Sequence, residues 1–273
     1  MRAPNFWSNP PDQPGALARI LSPLGSLYAM GTARRLANGG REKMQKPVIC
    51  VGNVNAGGVG KTPTVIAVVQ ALQGLFHVPH VVSRGYGGNE VGPLRVDAMR
   101  HGAKRVGDEP LLIGAFADTW VAKDRRAGAK AASDAGATAI VLDDCLQHAA
   151  LHYDLTIMVA DAEVGFGNGL CIPAGPLREP LPTAAARTDL LMTIGTDHAQ
   201  DCFKKRYPEM ASLPRVKGVL KPLQTGMDWS GMRALALAGI GCPEKFYATL
   251  SSLGAKIIRA EALGDPAALT LAM

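Results

Sequence analysis

Three things are scarce in this chain, and each scarcity narrows what it can be. Its five cysteines, Cys50, Cys145, Cys171, Cys202 and Cys242, are scattered and make no C-x-x-C pair. The spacing therefore suggests neither a zinc site nor a disulfide framework, and a reducing cytosol is the expected home. Aromatic residues are only 5% of the chain and form no stacking platform, so nucleic acid is the weaker partner for a formal charge of +6. No run of about 18 or more apolar residues occurs, so no segment reads as a bilayer-spanning helix. Prolines between residues 9 and 14 interrupt any signal-peptide core. What is present is a 273-residue chain, 47% hydrophobic, long enough for one large or two modest domains with a real core. The basic balance points to an anionic substrate or an anionic membrane surface.

The strongest local signal is Asn55-Ala56-Gly57-Gly58-Val59-Gly60-Lys61-Thr62. A strand-like run, Pro47 to Val51, precedes it, and Val65, Val68, Val69 and Leu72 follow at helical spacing. Glycines let the backbone wrap a phosphate with N–H groups pointing inward, and the helix start adds its positive dipole end. Lys61 is placed to reach the β- and γ-phosphates of ATP, and the Thr62 hydroxyl to hold Mg²⁺. The strict pattern has Gly where Asn55 stands.

The rest of the chain alternates. Strands are expected at 47–52, 80–83, 119–122, 138–142, 155–160 and 189–194, with helices at 62–75, 109–117, 125–135 and after Pro243. That rhythm argues for an α/β, P-loop NTPase-like parallel sheet with helices on both faces. The expected division is an N-terminal amphipathic segment (1–40), a P-loop core (41–196) and a smaller C-terminal α/β domain (197–273), irregular from about 197 to 230 before a strand at Ala234–Ala238. In the first segment Leu17, Ile20, Leu21, Leu24, Leu27 and Tyr28 form a stripe at i, i+3, i+4, i+7 spacing. Ser22-Pro23 reads as a cap followed by the first residue of a second short helix. Periodicity alone favours a helix packed on the core; the other reading is an anchor in a membrane interface.

Ala139 to Leu142 is an apolar strand ending in Asp143-Asp144, an acidic end suited to Mg²⁺ beside a phosphate loop. Ser83-Arg84-Gly85-Tyr86-Gly87-Gly88 follows another strand, where Arg84 could neutralise phosphate. In Gly107-Asp108-Glu109-Pro110, Asp108 could cap a helix or orient a substrate hydroxyl. Gln147 and His148 follow the acidic pair. A long Gly- and Pro-rich loop, residues 164 to 183, frames Arg178-Glu179 as a shaped wall.

In this order and spacing, these segments resemble the tetraacyldisaccharide 4'-kinases of lipid A biosynthesis over roughly residues 5 to 255. Phe6-Trp7, Val51-Gly52-Asn53, Gly167-Asn168-Gly169 and Ala238-Gly239-Ile240-Gly241 with Pro243 to Phe246 complete the likeness. The resemblance implies a P-loop kinase that moves the ATP γ-phosphate to the 4'-hydroxyl of an acylated glucosamine disaccharide 1-phosphate. It implies work at the cytoplasmic face of the bacterial inner membrane, with the N-terminal stripe in the interface. Lys61, Asp108 and Asp144 are then catalytic candidates, and Thr62 and Asp143 the Mg²⁺ candidates. Arg84, Tyr86, Glu109, Gln147, His148 and Arg178 are the substrate or lid candidates.

Two departures carry expectations. The family usually has Gly-Phe where Cys145-Leu146 stand; if that Gly has positive φ, Cys145 carries a steric cost of about 1 kcal/mol. The family also continues beyond Gly254 with an Asp-His-His segment, and Ala255 to Met273 has no histidine. The second domain is expected to be short of its usual complement and turnover to suffer. The alternatives are a partner-regulated P-loop ATPase or GTPase, and an impaired, membrane-bound nucleotide binder of the same family.

Overall fold

The structure, a computed structural model, describes residues 3–222, 226–238 and 243–262. The chain divides into two compact units, Asn5–Val219 and Met1–Pro4 with Leu220–Met273.

The larger unit begins with helix α1 (Ala16–Ala37) and then runs β1 (Val48–Gly52), α2 (Lys61–Gly74), β2 (Pro79–Ser83), β3 (Leu94–Arg95), α3 (Ala103–Val106), α4 (Asp108–Ile113), β4 (Thr119–Val121), α5 (Arg125–Asp134), β5 (Ala139–Asp143), β6 (Leu155–Asp161), α6 (Leu181–Ala185), β7 (Leu190–Ile194), α7 (Asp197–Arg206) and β8 (Arg215–Gly218). The sheet order is β3-β4-β2-β5-β1-β6-β7-β8, parallel throughout except for β3 against β4. Strand alternation divides the core. Ile49, Val51 and Val141 pack with Val65 and Val69 of α2 on one face; Val48, Cys50 and Leu142 pack with Ala129 and Ala132 of α5 on the other. A third cluster under the Pro-rich loop joins Leu146, Phe166 and Leu177 to Phe203 and Tyr207. Trp7 Nε1 donates to the Pro173 carbonyl at 3.0 Å, pinning the N-terminal turn to that loop.

Several expectations change. The first unit passes the expected boundary at 196: α7 and β8 belong to it because β8 hydrogen-bonds to β7 as the eighth strand. The irregular stretch thus hides a short helix and a strand whose half-exposed residues, Arg215 to Gly218, carry no apolar alternation. Ser22-Pro23 does not start a second helix. Pro23 sits inside one continuous 22-residue α1, where a missing N–H costs about 3 kcal/mol that packing must offset. Gly25 provides that packing: a Cβ there would meet the Cys171 carbonyl at 2.7 Å, so only glycine lets α1 lie this close to the loop. The opposite face, Leu17, Ile20, Leu24, Leu27 and Met30, is exposed rather than packed on the core. Among the described residues no helix is long and apolar enough to cross a membrane. Cys50 and Cys145, which the sequence spacing left unpaired, form a disulfide with a Cα–Cα distance of 5.8 Å, because the turn after β5 folds back on β1.

In the smaller unit, β9 (Arg233–Ala238) and β10 (Lys256–Ala262) pair in parallel and α8 (Pro243–Ser252) covers one face through Ala236, Leu250 and Ile257. Residues 239–242 of the family-like motif and the tail from 263 lie outside the described residues.

Candidate functional site

The carboxyl ends of β1 and β5, adjacent in the sheet, carry the phosphate loop and the acidic pair. Gly60 caps α2 with φ of +88°, and a Cβ there would meet Ile194 Cδ1 at 2.5 Å. Ala56 N–H donates to the Pro176 carbonyl at 2.7 Å, and Asn55 Nδ2 to the Gly165 carbonyl at 3.0 Å. The substituted first position of the phosphate loop is thus tied to the long loop rather than left free. Gly57, Gly58 and Val59 form its tip, with Gly57 at φ +136°.

The ammonium of Lys61 donates to Asn53 Oδ1 at 3.1 Å and lies 3.5 Å from Asp144 Oδ1. Arg178 reaches both oxygens of Asp144, at 2.8 and 3.0 Å. Burial pushes the Asp144 carboxyl up, but Lys61 and Arg178 outweigh it and hold it below the usual range. Its neighbour behaves oppositely. Asp143 is 1% exposed, accepts from Ser83 Oγ at 3.0 Å, and has no hydrogen-bond partner for Oδ1 among the described residues. Burial, with the charges of Glu109 and Asp144 added, raises its pKa to about 6. Thr62 Oγ1 donates to Glu109 Oε1 at 3.3 Å, which brings α4 to the phosphate loop.

Asp108 is the first residue of α4 and exposed. Gly107 is the cap and no side chain caps the helix, so the capping role is not the one this residue plays. Gly107 has φ of +89°, and a Cβ would meet the Tyr86 carbonyl at 2.5 Å, so the Tyr86 loop rests on this turn. The Tyr86 ring itself is 85% exposed and the structure does not bring it into the cluster. At the turn after β5, it is Asp144 that takes positive φ, +51°, not Cys145; aspartate tolerates that region, so the expected cost at Cys145 does not arise. Leu146 is buried where Gly52 leaves room for it: a Cβ on Gly52 would meet Leu146 Cβ at 2.8 Å.

A cavity of about 560 Å³ opens beside Asp144, and Gln147 and His148 line it. Its charge is overwhelmingly positive, from Arg35, Arg84, Lys123, Arg125, Arg126 and Arg178. Burial and the Arg125 cation lower the His148 pKa, so its imidazole is neutral near pH 7. Gln147 Nε2 donates to Glu179 Oε1 at 2.9 Å and to the Asn53 carbonyl at 3.0 Å, and Arg187 pairs with the buried Glu179. A second cavity, about 450 Å³ and mainly apolar, lies between α1 and the Pro-rich loop and contains none of the sequence-predicted site residues. Sequence reasoning missed Lys123, Arg125, Arg126 and Arg187. Arg125 is 3% exposed and donates to the Asp143 carbonyl at 3.1 Å, yet nothing in a helix-opening Asp-Arg-Arg marks one arginine as buried.

A doubly wound parallel sheet with a phosphate loop on one strand end and a paired acid on the next defines a P-loop NTPase-like α/β protein. Comparison narrows this class. The family profile described as Tetraacyldisaccharide-1-P 4'-kinase matches residues 17–272, and the chain belongs to that family. It is 55% identical to a tetraacyldisaccharide 4'-kinase of Dinoroseobacter shibae, over 97% of this chain and 79% of that protein. It is 52% identical to one from Jannaschia sp. (strain CCS1), over 99% and 81%. Among solved structures, it superposes on LpxK from Aquifex aeolicus, described as in complex with ATP, with a TM-score of 0.73 and 25% identity, covering 92% of this chain and 83% of that one.

Proposed function

We propose that this chain is an ATP-dependent kinase that moves the γ-phosphate to the 4'-hydroxyl of an acylated glucosamine disaccharide 1-phosphate, in lipid A biosynthesis. Family membership and the names of its relatives support the reaction, and the solved relative's bound ATP supports the donor. The observation that carries it is a shared carboxylate: Asp144 pairs with the phosphate-loop Lys61 and also borders the cationic cavity.

The phosphate loop binds the triphosphate through its N–H groups, and Lys61 exchanges Asp144 for β- and γ-phosphate oxygens. Among the described residues no three His, Cys, Asp or Glu side chains form a self-sufficient metal cage. Mg²⁺ needs none, since it takes most ligands from water and phosphate. The unpartnered Oδ1 of Asp143 and the Thr62 hydroxyl fit it, and it would supply charge neutralisation between the β- and γ-phosphates. Asp108 takes the proton of the 4'-hydroxyl as the new P–O bond forms and ADP leaves. Positioning dominates this step, so the placement of the carboxylate matters more than its basicity. The cavity arginines and Lys123 hold the acceptor's 1-phosphate, and the exposed α1 stripe lies in the cytoplasmic interface of the inner membrane. The test is transfer of labelled phosphate from Mg-ATP to the acylated disaccharide 1-phosphate in detergent micelles. Transfer that Asp108→Ala reduces by about 10²-fold or more is expected; ATP binding without transfer would overturn the reading.

A further inference from the structure

Asn53 stands between β1 and the phosphate loop, is fully buried, and uses its whole side chain. Nδ2 donates to the carbonyls of Asn55 at 2.9 Å and Gly57 at 3.3 Å, while Oδ1 accepts from the Lys61 ammonium at 3.1 Å. These carbonyls are the wrong pole for an anion. Drawing them inward onto one amide leaves the loop's N–H groups beyond Ala56, which is tied to Pro176, to face outward, where a phosphate must bind. The same amide docks the lysine before any nucleotide arrives. Asn55 replaces the usual first glycine of the loop and spends its own side chain on Gly165, so it cannot do this work.

We propose that Asn53 is a positioning residue for phosphoryl transfer: one amide that orders the phosphate loop with its donor end and presents Lys61 with its acceptor end. The inference rests on the ATP-kinase reading of the site. The chemistry requires a donor and an acceptor on the same planar group. An aspartate has the same shape but no donor when ionised; it would face two carbonyl oxygens and hold Lys61 in an ion pair. Alanine leaves a cavity but neither repels the loop nor traps the lysine. A filling role for Asn53 makes alanine the worse substitution; a positioning role makes aspartate the worse one.

The experiment is steady-state kinetics with both substrates varied, on the full chain carrying Asn53→Ala, Asn53→Asp or Asn53→Ser, each melted beforehand. Asn53→Ala should lower kcat/KM for ATP by about 10- to 100-fold with the acceptor KM little changed, as loss of a hydrogen bond to a charged group does. Asn53→Asp should be worse again by about tenfold, and that excess should shrink when Lys61→Ala is added, because the part carried by the trapped lysine is lost while the carbonyl repulsion stays. Asn53→Ser, which keeps a hydroxyl that donates and accepts, should lie between wild type and alanine and carries the test if the other two do not fold. Asp milder than Ala, an excess that Lys61→Ala leaves undiminished, or a serine variant that shifts both KM values equally overturns the proposal. A wild type that transfers no phosphate sinks the kinase reading instead; ATP binding by the same variants then still ranks Asp against Ala.

Discussion

Asp143 and Asp144 are consecutive residues, yet they belong to two different walls of one cleft. Asp143 faces the buried nucleotide edge, among short polar groups and backbone, and burial keeps its carboxyl hard to ionise with one oxygen unpartnered. Asp144 borders the cationic cavity, and Lys61 of the phosphate loop together with Arg178 of the cavity wall keeps it ionised. The backbone makes the split: Asp144 at φ +51° turns the second carboxylate away from the first. The two like charges still oppose each other, since Asp144 helps raise the Asp143 pKa, but the fold gives each its own hydrogen-bond partners. On the proposed reading Asp143 belongs to the nucleotide side of the cleft, whereas the acceptor side gathers cations that range from exposed Arg35, Arg84 and Arg126 to buried Arg125.

The largest break in this comparison is Lys61→Ala. It removes the phosphate-loop cation that pairs with Asp144, and transfer should fall by about 10³-fold or more, with ATP affinity reduced. Unchanged transfer in a radiolabel assay would contradict the assigned site. Arg178→Ala acts on the acceptor wall alone. It leaves Asp144 with Lys61 as its partner, so the Asp144 pKa should rise and kcat/KM for the acceptor should drop by about 10- to 100-fold, with little change in the ATP KM. Equal shifts in both KM values would erase the distinction between the walls. The smallest effect should come from Ile20→Glu with Leu24→Glu on the exposed face of α1. Melting temperature and ATP binding should hold, since neither side chain is packed, while flotation with anionic liposomes falls several-fold. Flotation equal to wild type would remove the membrane role.

Much of this layout was legible in the sequence. Each of the six expected core strands appears within about a residue or two of its bounds, because buried parallel strands are short apolar runs between turn signals. The phosphate loop and acidic pair were legible because their chemistry fixes both residue type and flanking structure. Three things were not. Whether the α1 stripe faces core or solvent depends on what α1 packs against, and Gly25 against Cys171, not periodicity, sets that. The cations of the cavity come from α1, the turn after β2, the β4–α5 junction and the long loop, and only folding collects them. The Cys50–Cys145 pair is 95 residues apart in sequence, and strand order alone brings it together.

The asymmetry of the two carboxylates has a pH signature. The folded pKa of Asp143, about 6, lies above its ordinary 3.8, so the folded state binds that proton more tightly. Between those values this group's contribution to stability falls as pH rises, by about 2 to 3 kcal/mol in all. On the proposed reading cation-assisted nucleotide binding runs the other way, because only an ionised Asp143 would hold the cation. The most direct measurement is therefore Mg-ATP affinity from pH 5 to 8, wild type against Asp143→Asn. The account predicts that wild-type affinity weakens below about pH 6 and that Asp143→Asn binds weakly with no such limb of its own. The same pH dependence in both proteins would contradict it.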